Sequence, residues 1–183
     1  MTEDQFLDAV GQREGLEYAE PPAIDQPTGP YGITLPVLSA YRARPCTIAD
    51  LRALTPADAR EIVRANVRND LQKLGFNKIA FEPLRWQCLD YAWNSGEERA
   101  IRWLQRTVGV PEGFVTGVMD DRTIRSLNVI SSLPGGLIRA INNALAGERA
   151  HAALNAGTAP KFADGVAKRA ISFVIRLDEV TET

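Results

Sequence analysis

The chain of 183 residues has a single histidine, His151, and two cysteines, Cys46 and Cys88. Each scarcity removes some chemistry. A Ser-His-Asp or Cys-His triad would have to run through His151, which stands in a helical context with no nucleophile motif around it. The cysteines have no metal-ligand spacing and are read as reduced thiols, with a single bridge after export as the alternative. No metal and no cofactor is expected. No apolar run approaches the length of a membrane span, so no membrane insertion is expected. The opening MTEDQFLDAV has acids and no positive n-region, so no signal peptide is expected either. An excess of basic charge is also missing. Lys and Arg total 21 against 23 Asp and Glu, giving a net charge of -2 and a pI near 5.5. That balance argues against a broad grip on nucleic acid. Catalysis, if present, falls to carboxylates.

What is present is ordinary globular composition, 45% hydrophobic and 24% charged. A chain of this length buries roughly 70% of its unfolded surface and needs no disulfide or metal to fold. Helical periodicity dominates, and the fold class expected is mostly α. Thr2-Glu3-Asp4-Gln5 fits a capping box, and Leu7, Val10 and Glu14 follow at helical spacing before Gly15. A short helix is expected near Val37 to Arg42. Thr55-Pro56-Ala57-Asp58 opens a long helix whose stripe is Ala59, Val63, Val67, Leu71 and Leu74. The stretch from Phe81 to Ser95 is apolar around most of its circumference, with Gln87, Asp90 and Asn94 as one narrow polar strip. Such a helix is central, its polar line facing a cleft or a buried network. Further helices are expected at 97–107, 121–129, 137–154 and 161–177.

The stretch REGLEYAEPPAIDQPTGPYGIT (13–34) breaks the pattern. It starts with a glutamate on the last turn of an apolar-faced helix, continues as a proline-rich acidic loop with room for a small hairpin, and ends in a run that reads as a strand. A carboxyl at the apolar edge of a helix is partly desolvated, and a helix C-terminus is the negative end of the dipole. Both disfavour the ionised form. Glycoside hydrolysis needs a carboxylic acid that keeps its proton near neutrality.

The order of Glu14-Gly15, the proline-rich loop, Thr28, Tyr31-Gly32-Ile33-Thr34, CLDYAWNSG (88–96) and AIRWLQRTVGV resembles glycoside hydrolase family 108, the bacterial and phage N-acetylmuramidases. The segment from Gly109 to about Val174 is similar to the helical peptidoglycan-binding region often found behind that domain, with matches at Gly117, Thr123, Gly165 and Arg169. The resemblance implies a lysozyme-like helical domain over 1–108, with a short irregular or β loop after the first helix, and a helical region over 109–183 packed on it. It departs from the family at Leu16, where a second glycine is usual, and at Val67-Arg68, where Tyr-Trp is usual. The loop's paired glycines are missing, and Val166 replaces a frequent tryptophan.

The implied activity is cleavage of the β-1,4 bond between N-acetylmuramic acid and N-acetylglucosamine in peptidoglycan glycan strands. Glu14 takes the place of the catalytic acid, with Asp25 and Thr28 as the loop's acid and hydroxyl. Tyr31, Asp90, Trp93 and Asn94 take substrate-binding places. Each has a plainer reading. Asp25 and Thr28 suit turns, Asp90 and Asn94 suit a buried network, and Trp86, Trp93 and Trp103 suit a core. Glu17 and Glu20 are rival partners for Glu14. The alternative function is a non-catalytic relative that binds peptidoglycan or serves as a structural phage-tail or secretion component. Without a visible signal segment, a bacteriolytic enzyme or phage endolysin made in the cytoplasm and acting in the periplasm would rely on a holin, a virion or a secretion machine. Cytoplasmic expression alone is therefore expected to be tolerated until the inner membrane is permeabilised. Turbidity traces with and without a membrane-disrupting partner check this, and lysis without the partner contradicts it.

Overall fold

The computed structural model describes residues 1–20, 26–132, 136–154, 167–168 and 170–174. These residues form eight α-helices and three short 3-10 turns, and the only β feature among them is an isolated antiparallel bridge between Ala19 and Thr28. The protein is mostly α, as the helical periodicity predicts. None of the described helices is long and apolar enough to cross a membrane. Two compact units divide it, Met1–Asp70 and Leu71–Thr183. The division lies near the end of α4, whereas the boundary expected from sequence is at 108/109.

The first unit contains α1 (Glu3–Glu14), α2 (Leu35–Arg42), α3 (Ile48–Arg52) and most of α4 (Pro56–Lys73). In α1 the capping box forms as expected: Thr2 Oγ1 accepts from the Gln5 amide and Gln5 Oε1 from the Thr2 amide. Phe6, Leu7 and Val10 of α1 are buried, as are Ala59, Ile62, Val63 and Val67 of α4. Arg60, Arg64 and Arg68 recur every fourth residue, so they share one face of α4. That face pairs with α1: Arg60 with Asp4 and Asp8, Arg64 with Glu3 and Asp4, and Arg68 with Glu3. Exposed pairs of this kind each contribute little, about 0–1 kcal/mol, but they fix the rotation of one helix against the other.

Two features of this unit differ from the sequence expectation. Helix α3 was not anticipated, although Thr47 and Asp50 form a second capping box that marks its start. The Tyr31-Gly32-Ile33 run is no strand. Pro30–Gly32 forms a tight turn closed by the Ile33 amide on the Pro30 carbonyl, with Tyr31 and Gly32 both at positive φ, +60° and +70°. Two successive left-handed residues reverse the chain and cannot continue a pleat.

The second unit contains α5 (Glu82–Ser95), α6 (Glu97–Thr107), α7 (Asp121–Ser132) and α8 (Gly136–Leu154). Helix α5 packs against α6 and α8, and α7 against α8. Leu84, Trp86, Cys88, Leu89, Tyr91 and Ala92 are buried, which makes α5 the central helix foreseen from its composition. Burial pushes the Cys88 thiol up to about 12, so this thiol is a packing group rather than a nucleophile. The expected helix 161–177 lies mostly outside the described residues, and of the described ones Ala167, Ala170 and Phe173 are buried.

The polar strip of α5 divides. Gln87 and Asp90 are buried, and Asn94 is exposed. Asp90, 1% exposed, accepts from Arg149 Nη2 at 2.5 Å, and Arg149 is itself 3% exposed. The Arg149 guanidinium also lies 4.9 Å from the Tyr91 ring centroid and 5.4 Å from that of Phe173. Removing one partner leaves a buried charge unpaired, which costs about 3–5 kcal/mol. Arg149→Met is therefore expected to lower unfolding stability by about that amount. The double variant Asp90→Leu/Arg149→Met should recover most of the loss, as read from urea melts.

Candidate active site

The site begins at the end of α1. Gly15 closes the helix with φ +90° and donates to the Gly11 carbonyl at 3.0 Å. Ala19 and Thr28 then exchange both backbone hydrogen bonds, at 2.8 and 3.0 Å, and so close the proline-rich loop. Of the small hairpin the sequence left room for, the described residues show this one bridge. The returning chain comes back to the helix end, where the Tyr31 amide donates to the Gly15 carbonyl at 2.7 Å and the Gly29 amide to the Ile33 carbonyl at 2.7 Å.

Glycine makes this return possible at two places. A Cβ on Gly32 would lie 3.2 Å from Glu14 Oε2 and 3.3 Å from Glu14 Cβ, so the Glu14 side chain rests against the bare backbone of Gly32. A Cβ on Gly11 would lie 2.7 Å from Tyr31 Cε1 and 2.8 Å from Cζ, so the tyrosine ring fills the space that Gly11 leaves open. A left-handed conformation costs a residue with a side chain roughly 1–2 kcal/mol. At Tyr31 that cost is offset by the ring contact, the amide hydrogen bond and a third tie at the hydroxyl, which accepts from Arg60 Nη1 at 3.2 Å. The Tyr31 hydroxyl and then Asp8 hold the Arg60 guanidinium above its ordinary range.

Glu14 itself is exposed, which corrects the expectation of a partly desolvated carboxyl. It is the last helical residue, and Gly15, Leu16 and Glu17 after it are exposed too. Its position at the negative end of the helix is as expected. Thr28 is half-buried at the bridge, and Asp25 lies outside the described residues. Of the rivals, Glu20 pairs with Arg52 and accepts from the Tyr18 hydroxyl at 2.7 Å. Arg52 first and Tyr18 second hold the Glu20 carboxyl below its usual range, so Glu20 is engaged as a carboxylate at the root of the loop.

The matched positions of the second unit have a geometry of their own. Trp93 is 40% exposed on α5. The Asn94 side-chain amide donates to the Asp90 carbonyl at 2.5 Å, and Asp90 is taken up by Arg149 inside the unit. In the first unit, Val67, where the resemblance implies an aromatic, is fully buried. Among the described residues no group of three or more His, Cys, Asp or Glu side chains is arranged to hold a metal ion.

Residues 7–96 match the family described as glycosyl hydrolase 108. This segment belongs to that family. It contains Glu14, the loop, Tyr31 and all of α5, so every candidate site residue lies inside the family 108 match. The chain is also similar to the solved structure of Brucella abortus SagA, with 27% sequence identity and a TM-score of 0.55 over 97% of this chain and 99% of that one. No curated protein matches it. For residues 7–96, the match supports a peptidoglycan hydrolase of the N-acetylmuramidase kind at the level of the family. Arg60 and Gly11 belong to the family 108 segment but were not singled out from sequence. No local pattern marks them, because both act on Tyr31, a residue distant from each in sequence.

Gly11→Ala puts a methyl group where the Tyr31 ring lies. Overpacking of this kind costs typically about 1–3 kcal/mol. The variant is expected to lose that much in a chemical melt and to lose hydrogen-exchange protection at the Tyr31 amide, while the same substitution at exposed, uncrowded Gly113 does neither.

Proposed function

We propose that this chain is an active N-acetylmuramidase that cleaves the β-1,4 bond between N-acetylmuramic acid and N-acetylglucosamine, with Glu14 as the general acid. The observation that carries the reading is an accessible glutamate closing α1, set against the backbone of Gly32, inside the segment matched by family 108. Accessibility lets a glycan strand reach the carboxyl. A bound strand excludes water, the condition under which a carboxylic acid keeps a proton to donate. Glu14 protonates the glycosidic oxygen as the C–O bond breaks, and the sugar passes through an oxocarbenium-like state. The loop between Ala19 and Thr28 supplies the second group: Asp25 is assigned to the charge or water opposite the acid, and Thr28 to holding that water. Trp93 and Asn94, exposed on α5, are assigned to sugar contacts. Asp90, buried under Arg149, is assigned to supporting α5 rather than to the sugar.

The substrate sets where the protein works. It would act in the periplasm or cell wall, delivered by a holin, a virion or a secretion machine.

Glu14→Gln keeps the shape and removes the transferable proton. General acid catalysis typically contributes ~10²–10⁴-fold, so muropeptide release from purified sacculi is expected to fall by about that factor. The melting temperature should be unchanged, since the side chain is exposed. Asp25→Asn is expected to cost activity too, while Glu17→Gln and Glu20→Gln are mild. An undiminished Glu14→Gln variant moves the chemistry to another carboxylate. A wild-type protein that binds sacculi without releasing muropeptides makes it a wall-binding or structural relative instead.

A further inference from the structure

The Tyr31 side chain is engaged at both its ring and its oxygen. Its edge fills the gap at Gly11, its amide is bonded to the Gly15 carbonyl, and its oxygen accepts from Arg60. Arg60 is half-buried, and its other nitrogen contacts are with α1: the Asp8 carboxylate through Nη1, and through Nη2 the Asp4 carbonyl at 3.3 Å and the Asp4 carboxylate at 3.1 Å. One guanidinium therefore ties the start of α1, through Tyr31, to the loop that returns at its end. The residue after Tyr31 is Gly32, whose backbone supports the Glu14 side chain. Arg60 does not need to touch Glu14 to influence it. It holds the hydroxyl of the one residue whose left-handed turn sets where Gly32 lies.

We propose that Arg60 and Tyr31 form a positioning pair for the catalytic acid: Arg60 fixes the Tyr31 hydroxyl, Tyr31 fixes the turn at Gly32, and that turn fixes the Glu14 carboxyl. The proposal rests on Glu14 being the acid. It changes the part assigned to Tyr31, from substrate contact to positioning, and adds Arg60, which has no other evident link to the reaction. Positioning acts on the chemical step rather than on uniform binding of the strand, so its loss lowers kcat with KM nearly constant.

The test uses the full chain, with soluble muropeptide oligomers as substrate. Tyr31→Phe removes only the hydroxyl, and Arg60→Met removes the donor together with its ties to Asp4 and Asp8. Each is expected to lower kcat about tenfold or more with KM within about twofold, a pattern of transition-state loss. The double variant is expected to be no worse than the worse single one, because both break the same tie. Arg60→Lys, which can still donate to the hydroxyl, should recover part of the rate. Should Arg60→Met fold poorly, Tyr31→Phe alone carries the kinetic test. Wild-type kcat in both singles, beside an inactive Glu14→Gln variant, overturns the proposal and leaves the function standing. A raised KM in Tyr31→Phe alone returns Tyr31 to the sugar. If the wild type or Glu14→Gln contradicts the function, the pair is still decided by NMR. The Glu14 carboxyl ¹³C shift and Tyr31 amide exchange should both change in Tyr31→Phe and Arg60→Met, and the proposal fails if neither moves.

Discussion

The ring of Tyr31 stands in the space where Gly11 has no side chain, and much of the first unit is arranged around that contact. A proline-rich loop has few amide groups for a ladder, so something else must bring it back to the helix. Here the return is tied at Ala19 and Thr28, at Gly15 and Tyr31, and at Gly29 and Ile33. Each tie is a single hydrogen bond or an isolated bridge, worth about 0.5–1.5 kcal/mol net. What makes them cooperate is the left-handed residue between them. A strained conformation persists only where its surroundings over-determine it, and Tyr31 is held at its amide, its ring and its hydroxyl together.

The second unit uses a different device. It buries polar groups and satisfies them. Asp90 meets Arg149, Asn142 donates to the Phe173 carbonyl at 2.7 Å, and Gln105 serves Thr116, Val118 and Thr123 while accepting from the Gly117 amide at 2.9 Å. Half-satisfied networks of this kind are worse than an apolar core, so each residue constrains its partners. Gly117 and Thr123, two positions where the sequence suggested a peptidoglycan-binding region, are both partners of Gln105. Their part here is in the packing of the turn between α6 and α7, with Gly117 at φ +77° in close contact with Glu98. Gly165 and Arg169, the other two such positions, lie outside the described residues.

The acidic pI has a structural counterpart. Arginines on α4 are paired with α1, Arg52 with Glu20, Arg102 with Glu98 and Arg106 with Glu112. Among the described residues, much of the positive charge is thus paired with carboxylates of the same chain.

Local pattern was enough for most of the helices. The capping box at Thr2, the Thr55-Pro56 start of α4, the stripe from Ala59 to Leu74 and the apolar girth of α5 act over a few turns of chain, so their signals lie next to the residues they organise. Glu14 at the end of α1 was legible for the same reason, since Gly15 marks the stop. Its exposure was not, because solvent access depends on what the rest of the chain covers. The 3-10 turn at Tyr31 was misread as a strand, since nothing in Tyr-Gly-Ile forces a positive φ on tyrosine. A void at Gly11 and a guanidinium from α4 impose it across 20 and 29 positions of sequence. Likewise Asp90 could face a cleft or a core by its spacing alone, and only Arg149, 59 residues away, decided for the core. The sequence by itself determined what short-range periodicity and capping control. Tertiary structure decided which carboxylates are paired, because a charge chooses its partner by distance in space, and spacing along one helix does not contain that distance.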